Sequence, residues 1–387
     1  MIIQHFTDND LYKFTTMQAI QKLYPYAKVK YKFINRANTS FPDGFANALK
    51  KEINAIASLS ITKEEIEFIN EKCYYFDPVF LELLKGYRYN PDEVTVNQKR
   101  GGLELTIQGF WYRTVLWEVP LMALISELYF KMTNQNAHEV ESKAEYKALD
   151  LARMNANFSD FGTRRRFSFD VHDRVVKTLK ENSKGNMVGT SNVYFAMKNN
   201  LTPIGTHPHE WFMYHGAQYG YRRANHESLK AWAQIYKGAL GIALTDTFTT
   251  DNFFECFDVQ YAKLFDGLRW DSGDPIEFTD KALCFYTKNN IDCTSKTIVY
   301  SDSLDLEKVA KIKSFVHNKI NDAYGIGTYF TNDVGVKPLN IVIKLTEASI
   351  RGEEDFIPTV KLSDVKGKNT GIETEVNLCK QMLKIQS

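Results

Sequence analysis

The most chemically loaded string in the sequence is Asp271-Ser272-Gly273-Asp274-Pro275, with Arg269 just upstream. Two carboxylates beside a glycine can hold a magnesium-bound diphosphate or the hydroxyls of a sugar. Arg269 lies two residues before Asp271, so on a strand the two side chains share a face. The same string also suits a polar turn that ends a strand and caps a helix, and alone it does not choose. Gly325-Ile326-Gly327-Thr328 offers backbone N–H groups that could cradle a phosphate. A tight turn is the plainer reading, although late barrel strands often supply a phosphate site.

His207-Pro208-His209-Glu210 invites a metal reading, but its spacing is wrong for an HExxH zinc helix and no cysteine is near. A histidine beside an acid can instead attack a phosphoryl group or carry a proton. Plain structure is the alternative. Arg164-Arg165-Arg166 follows Phe161-Gly162-Thr163. It reads as a solvated face, a phosphate patch, or a site for a small carboxylate, whose shape the guanidinium fork matches. Phe161 and Tyr12 could then sandwich a flat heterocycle.

These strings must be held by strands. From about residue 137, short apolar segments alternate with longer amphipathic ones, and seven of them end in polar residues. Besides those above, the segment ends include Gly189-Thr190-Ser191-Asn192, Leu244-Thr245-Asp246-Thr247 and Tyr300-Ser301-Asp302-Ser303. Alternating strands and helices imply a parallel sheet. Chemistry at every strand end favours a closed, irregular α/β barrel over an open sheet, which concentrates its ligands at one switch point. Upstream, Thr7 with Asp10 predicts a capping box for the first helix. Residues 27–35 read as a strand, 41–70 as helical, and 94–110 as a hairpin turning near Arg100-Gly101. Pro120 opens a long apolar helix. Residues 339–345 return to strand character, while 351–355 and 363–370 read as exposed loops.

The chain has 387 residues, enough for a large barrel and a smaller second domain. A net charge of +1 gives no general field for nucleic acid, so any anion site must be a local cluster. Five scattered cysteines without a CxxC pair argue against a disulfide framework or zinc site and fit a reducing cytosol. The apolar stretch 115–130 is interrupted by Glu118 and Glu127 and falls short of the ~20 residues of a membrane span. Residues 1–10 do not read as a secretory signal.

Taken in order, these motifs resemble the nicotinate phosphoribosyltransferase family. The likeness runs from Asp8-Asn9-Asp10-Leu11-Tyr12-Lys13-Phe14-Thr15 through Leu116-Trp117-Glu118-Val119-Pro120-Leu121 and Phe161-Gly162-Thr163-Arg164-Arg165. It continues through Gly189-Thr190-Ser191-Asn192, His209-Glu210-Trp211 and Asp271-Ser272-Gly273-Asp274 to Gly325-Ile326-Gly327-Thr328. The resemblance implies an irregular TIM-like α/β barrel over 121–337. Beside it would lie an open-faced α+β sandwich of residues 1–120, completed by 338–387. It implies synthesis of nicotinate mononucleotide from nicotinate and phosphoribosyl pyrophosphate in NAD salvage, with Mg2+ and with ATP as co-substrate.

It also implies a cytoplasmic homodimer with shared active sites, into which Tyr12, Lys13 and Arg36 reach from the neighbouring subunit. Phe161 and Tyr12 would stack on the pyridine ring, and Arg164 would hold its carboxylate. Thr190 and Ser191 would shape the base site, Ser191 standing where a nicotinamide-specific relative has an acid that would repel nicotinate. Arg269, Asp271 and Asp246 would bind the ribose and magnesium-diphosphate end, with Asp271 and Asp274 as metal ligands. Gly325, Gly327 and Thr328 would take the 5′-phosphate, and ATP would phosphorylate His209. One departure is that His207-Pro208 stands where the family usually has a non-histidine and a small residue, so two histidines compete. Nicotinamide and quinolinate enzymes are the alternatives within the fold. A Schiff-base aldolase would need a strand-end lysine, which the seven segments lack, and a silent sensor of NAD precursors is the non-enzyme alternative.

Overall fold

The computed structural model describes residues 1–353, 355–365 and 368–385. The first three strands are β1 (Lys28–Asn35) and the hairpin β2 (Val94–Lys99) and β3 (Gly102–Phe110). Seven parallel strands follow: β4 (Phe158–Asp160), β5 (Met187–Thr190), β6 (Thr202–Pro203), β7 (Ile242–Leu244), β8 (Gly267–Trp270), β9 (Thr297–Tyr300) and β10 (Asn321–Ile326). The last two are β11 (Ile341–Ser349) and β12 (Ile357–Pro358). The antiparallel sheet, in the order β12-β11-β1-β3-β2, is thus built from both ends of the chain.

The hairpin turns on Arg100 and Gly101, both with positive φ (47° and 78°). That is the mirror-image two-residue turn whose twist suits antiparallel strands, and glycine adopts it at no steric cost. The helix Glu118–Met132 carries Pro120 in its first turn, where a missing N–H costs nothing. Its residues are buried from Val119 to Leu128, including Glu127, whose Oε2 accepts from the N–H of Phe169 at 2.8 Å.

The parallel sheet runs β6-β5-β4-β10-β9-β8-β7. β10 pairs with β4, as the last and first strands of a barrel do. β6 and β7 sit at opposite ends of the order, so the sheet is a curled half-barrel with a seam, not the closed ring expected. β6 is only two residues long, and one of them, Pro203, has no N–H to give a ladder. The chain between β6 and β7 is instead spent on two helices, His209–Tyr219 and Tyr221–Tyr236.

Three local expectations are corrected. Thr7 does not cap the first helix. The cap residue of Leu11–Leu23 is Asp10, whose side chain caps none of the helix N–H groups, and Thr7 donates to Glu65 Oε1 at 2.5 Å. Residues 41–70 hold two helices, Phe45–Ile56 and Lys63–Lys72, the second started by a capping box between Thr62 and Glu65. The stretch 363–370 is not simply exposed, because Ser363 and Thr370 are buried and Thr370 bridges Lys361. Glu354, Lys366 and Gly367, within the expected loops, lie outside the described residues. No helix among the described residues is long and apolar enough to cross a membrane.

Candidate active site

A chamber of about 520 Å³ opens at the C-terminal ends of the parallel strands. Strand ends supply Phe161, Arg164, Arg165, Arg269, Asp271, Gly327 and Thr328. The N-terminal part adds Tyr12, Arg36 and Glu118, and the C-terminal part adds Lys344, Lys361 and Ser363.

One cluster centres on His209, the first residue of its helix. Its Nδ1 lies 2.9 Å from Thr247 Oγ1, and its Nε2 lies 2.9 Å from Asp271 Oδ2 and 2.8 Å from Lys361 Nζ. Burial, and then the Lys361 ammonium, lower its pKa to about 4. The imidazole is therefore neutral near pH 7, the form that can act as a nucleophile. Asp271 Oδ1 accepts from Arg269 Nη2 at 2.8 Å and from Ser301 Oγ at 2.7 Å. Burial opposes its ionisation, but Arg269 and His209 outweigh it and hold the carboxyl well below its ordinary range. Asp246 sits just behind, 3.3 Å from Lys361, with Oδ2 accepting from Ser272 Oγ at 2.6 Å.

His207 is separated from this chemistry. It is fully buried, both ring nitrogens lack a partner, and it packs 4.4 Å from the Trp232 ring, with Phe212 and Phe265 close by. Burial pushes its pKa down to about 3, so it sits in the core as a neutral ring. Geometry thus separates the two histidines that the sequence left competing.

The second cluster carries the aromatic and cationic groups. Arg164 Nη1 lies 3.6 Å from Glu118 Oε1, and Tyr12 donates to Glu118 Oε2 at 3.4 Å. The basic triplet divides: Arg164 and Arg165 face the chamber, while Arg166 is fully buried in a two-pronged pair with Asp8, both bonds 2.7 Å. Crowding shows in the pKa values. Burial and then Arg164 lower Arg165 to about 10, and burial and then Lys361 lower Lys344 to about 7.

Several expected residues lie elsewhere. Thr190 Oγ1 donates to Asp160 Oδ2 at 2.7 Å behind the chamber wall. Ser191 Oγ donates to Asp10 Oδ1 at 2.8 Å, so its hydroxyl is bonded to a buried acid outside the chamber lining. Lys13 is fully buried between Glu118 and Glu210 of its own chain rather than reaching outward, and Tyr12 also lines its own chain's chamber. Gly325 packs under the Phe161 ring, where an added Cβ would sit 2.3 Å from Phe161 Cε2. Asp274 caps the helix Pro275–Lys288 by accepting from the N–H groups of Ile276 and Glu277. The residues whose donor atoms converge as a possible metal set are His209, Asp246 and Asp271, not Asp274.

Sequence reasoning missed Lys344 and Lys361, and placed Ser301 and Thr247 only among the polar strand ends. Lys344 gave one signal, a cation inside the otherwise apolar strand Ile341-Val342-Ile343-Lys344-Leu345. Lys361 gave none.

The fold and chamber define an α/β protein that presents an imidazole, paired carboxylates and converging cations at the ends of parallel strands. A family model described as the nicotinate phosphoribosyltransferase (NAPRTase) family matches residues 156–387, and one for that family's N-terminal domain matches 7–126. The chain belongs to the nicotinate phosphoribosyltransferase family. A nicotinate phosphoribosyltransferase of Desulforapulum autotrophicum is 50% identical over 385 residues, covering 99% of each chain. One of Chromohalobacter salexigens is 48% identical over 379 residues, covering 97% of each. The crystal structure of a nicotinate phosphoribosyltransferase from Porphyromonas gingivalis aligns with a TM-score of 0.97 at 43% identity, covering 99% of this chain and 100% of that one.

Proposed function

We propose that this chain joins nicotinate to the ribose of phosphoribosyl pyrophosphate, releasing pyrophosphate, in a cytoplasmic NAD salvage route. ATP hydrolysis would be coupled to the reaction through a phosphohistidine at His209. The observation that carries this reading is the gathering of Phe161, Arg164, His209 and Asp271 in one chamber. The pyridine nitrogen attacks C1 of the ribose as the C1–O bond to pyrophosphate breaks, and the pyrophosphate keeps the bonding electrons. That nitrogen carries no proton in nicotinate, so no base is required and positioning dominates. Phe161 and Tyr12 hold the ring and Arg164 its carboxylate. Arg36, Arg269, Lys344 and Lys361 oppose the charge gathering on the leaving group, and Gly327 and Thr328 meet the 5′-phosphate. In the ATP half-reaction a neutral His209 nitrogen takes the γ-phosphoryl group and ADP leaves.

The donor chemistry fits Mg2+, which is held by one or two carboxylates together with substrate phosphates. Asp271 and Asp246 would supply those carboxylates, and Asp246 Oδ1 is buried without a hydrogen-bond partner. The ion would neutralise diphosphate charge. A homodimer belongs to this reading, and sedimentation measures it.

The deciding experiment incubates the protein with Mg2+, phosphoribosyl pyrophosphate and either nicotinate or nicotinamide, with and without ATP, and quantifies mononucleotide and ADP. Nicotinate mononucleotide raised by ATP and accompanied by ADP is expected. His209→Gln should abolish the ATP effect, and His207→Phe should keep it. Product from nicotinamide alone would overturn the substrate; ADP formation surviving in His209→Gln would overturn the phosphohistidine.

A further inference from the structure

Lys13 is fully buried, and it has two carboxyl partners rather than one. Its Nζ lies 2.5 Å from Glu118 Oε2 and 2.8 Å from Glu210 Oε1. Glu118 is the first residue of the helix Glu118–Met132 and also meets Arg164 at 3.6 Å. Glu210 follows His209 at the head of the helix His209–Tyr219. Both glutamates line the chamber, while Lys13 stands behind its wall. A single ammonium therefore ties the cluster that holds Arg164 to the cluster that holds His209.

We infer that Lys13 is a positioning residue that couples the two clusters, so that a carboxylate ligand arriving at Arg164 is felt at His209. The inference rests on the nicotinate reading above. A ligand carboxylate competes with Glu118 for the Arg164 guanidinium. Glu118, less neutralised, draws more strongly on Lys13, and the hold of Lys13 on Glu210 weakens. Glu210 is covalently next to His209, so the imidazole shifts against Asp271 and Lys361. An ion pair buried this deeply feels little solvent screening, and the shift is passed on rather than absorbed by water.

The test reads His209 without requiring ATP. Diethyl pyrocarbonate labelling of His209 is followed by mass spectrometry, with and without saturating nicotinate, saturation being checked by quenching of intrinsic fluorescence. The variants are Lys13→Met and the charge-balanced Lys13→Met/Glu210→Gln, the second keeping the fold accessible if the first fails to fold. In the unaltered chain nicotinate should change the labelling rate about fivefold or more, the low end of ordinary coupling between sites. In the charge-balanced variant, saturated with nicotinate, that response should vanish while basal labelling persists. Direct shielding of His209 by nicotinate would leave the response intact in the variant, and that result overturns the coupling. An unaltered chain that binds nicotinate with no change at His209 overturns it too. An unaltered chain that does not bind nicotinate overturns the substrate reading, and the inference falls with it.

Discussion

Gly325→Ala probes the base site from behind, leaving every side chain proposed to meet substrate chemically unaltered. The new Cβ would stand 2.3 Å from Phe161 Cε2 and 2.4 Å from Cδ2. Carbon atoms rest about 3.5–4.0 Å apart, so the ring must retreat from 2.3 Å by roughly 1.2 Å. The main chain of Phe161 cannot follow, because its N–H is bonded to the Ile326 carbonyl at 2.8 Å. The half-buried ring must turn into the chamber. Overpacking of this kind costs about 1–3 kcal/mol. If the whole cost appears as lost ring stacking, the nicotinate KM rises about 5- to 140-fold, at 1.4 kcal/mol per tenfold. The KM for phosphoribosyl pyrophosphate should stay near its original value. The assay is initial velocity against nicotinate at saturating phosphoribosyl pyrophosphate, with direct nicotinate binding by calorimetry beside it. A folded Gly325→Ala protein with an unchanged nicotinate KM would remove Phe161 from the base site.

Lys361→Met removes the cation that, after burial, does most to lower the His209 pKa, and leaves Asp246 and Asp271, which raise it. The His209 midpoint should climb from about 4, so the acid limb of the ATP half-reaction moves to higher pH. An NMR titration of the His209 ring checks this, and an unmoved midpoint refutes it. Lys344, with a pKa of about 7, is partly deprotonated near neutrality. An anion beside it raises that pKa, so pyrophosphate binding should take up protons at pH 7. Calorimetry in buffers of different ionisation enthalpy measures the uptake, and Lys344→Met should lose it. Arg166→Met strands the buried Asp8 carboxylate and should cost about 3–5 kcal/mol in urea unfolding, with Asp8→Asn/Arg166→Met recovering part of it. A loss below about 1 kcal/mol, the range of exposed pairs, would show that the pair is not structural.

The seven strands were legible because each apolar segment ends abruptly in polar residues, and all seven appear in one parallel sheet. Closure was not legible. Whether β6 meets β7 depends on ladder length, and a two-residue strand containing Pro203 looks much like the start of a longer one. Within the site, Arg269 and Asp271 were paired correctly because a spacing of two fixes a shared strand face. Arg164 and Arg166 show the limit. The triplet looks uniform in sequence, yet Arg166 turns inward to Asp8, a partner 158 positions away. The different surroundings of His207 and His209 come from packing that the sequence does not spell out, since Trp232 and Phe265 reach His207 from distant elements. Ser191 is a similar case, because its hydroxyl meets Asp10, a partner 181 positions away in the sequence.

Under the proposed function an almost neutral chain must hold anions, and the chamber has the local charges for it. Cations placed together repel one another, and burial raises the cost of each, as the lowered values of Lys344 and Arg165 show. The protein offsets this by seating carboxylates among them: Glu118 beside Arg164, Asp271 beside Arg269, and Asp246 beside Lys361. These acids neutralise the neighbouring cations, and under the proposed function an arriving phosphate or carboxylate would take over part of that role. The local field thus comes from placed pairs rather than from net charge. Groups that bracket the reacting atoms in advance need not reorganise when charge develops. Of the three pairs, Arg269 with Asp271 is local in the sequence, and Glu118 with Arg164 joins the helix Glu118–Met132 to a strand end. The third, Lys361 with Asp246, brings in the returning C-terminal segment, which is why local motifs recovered only part of the site.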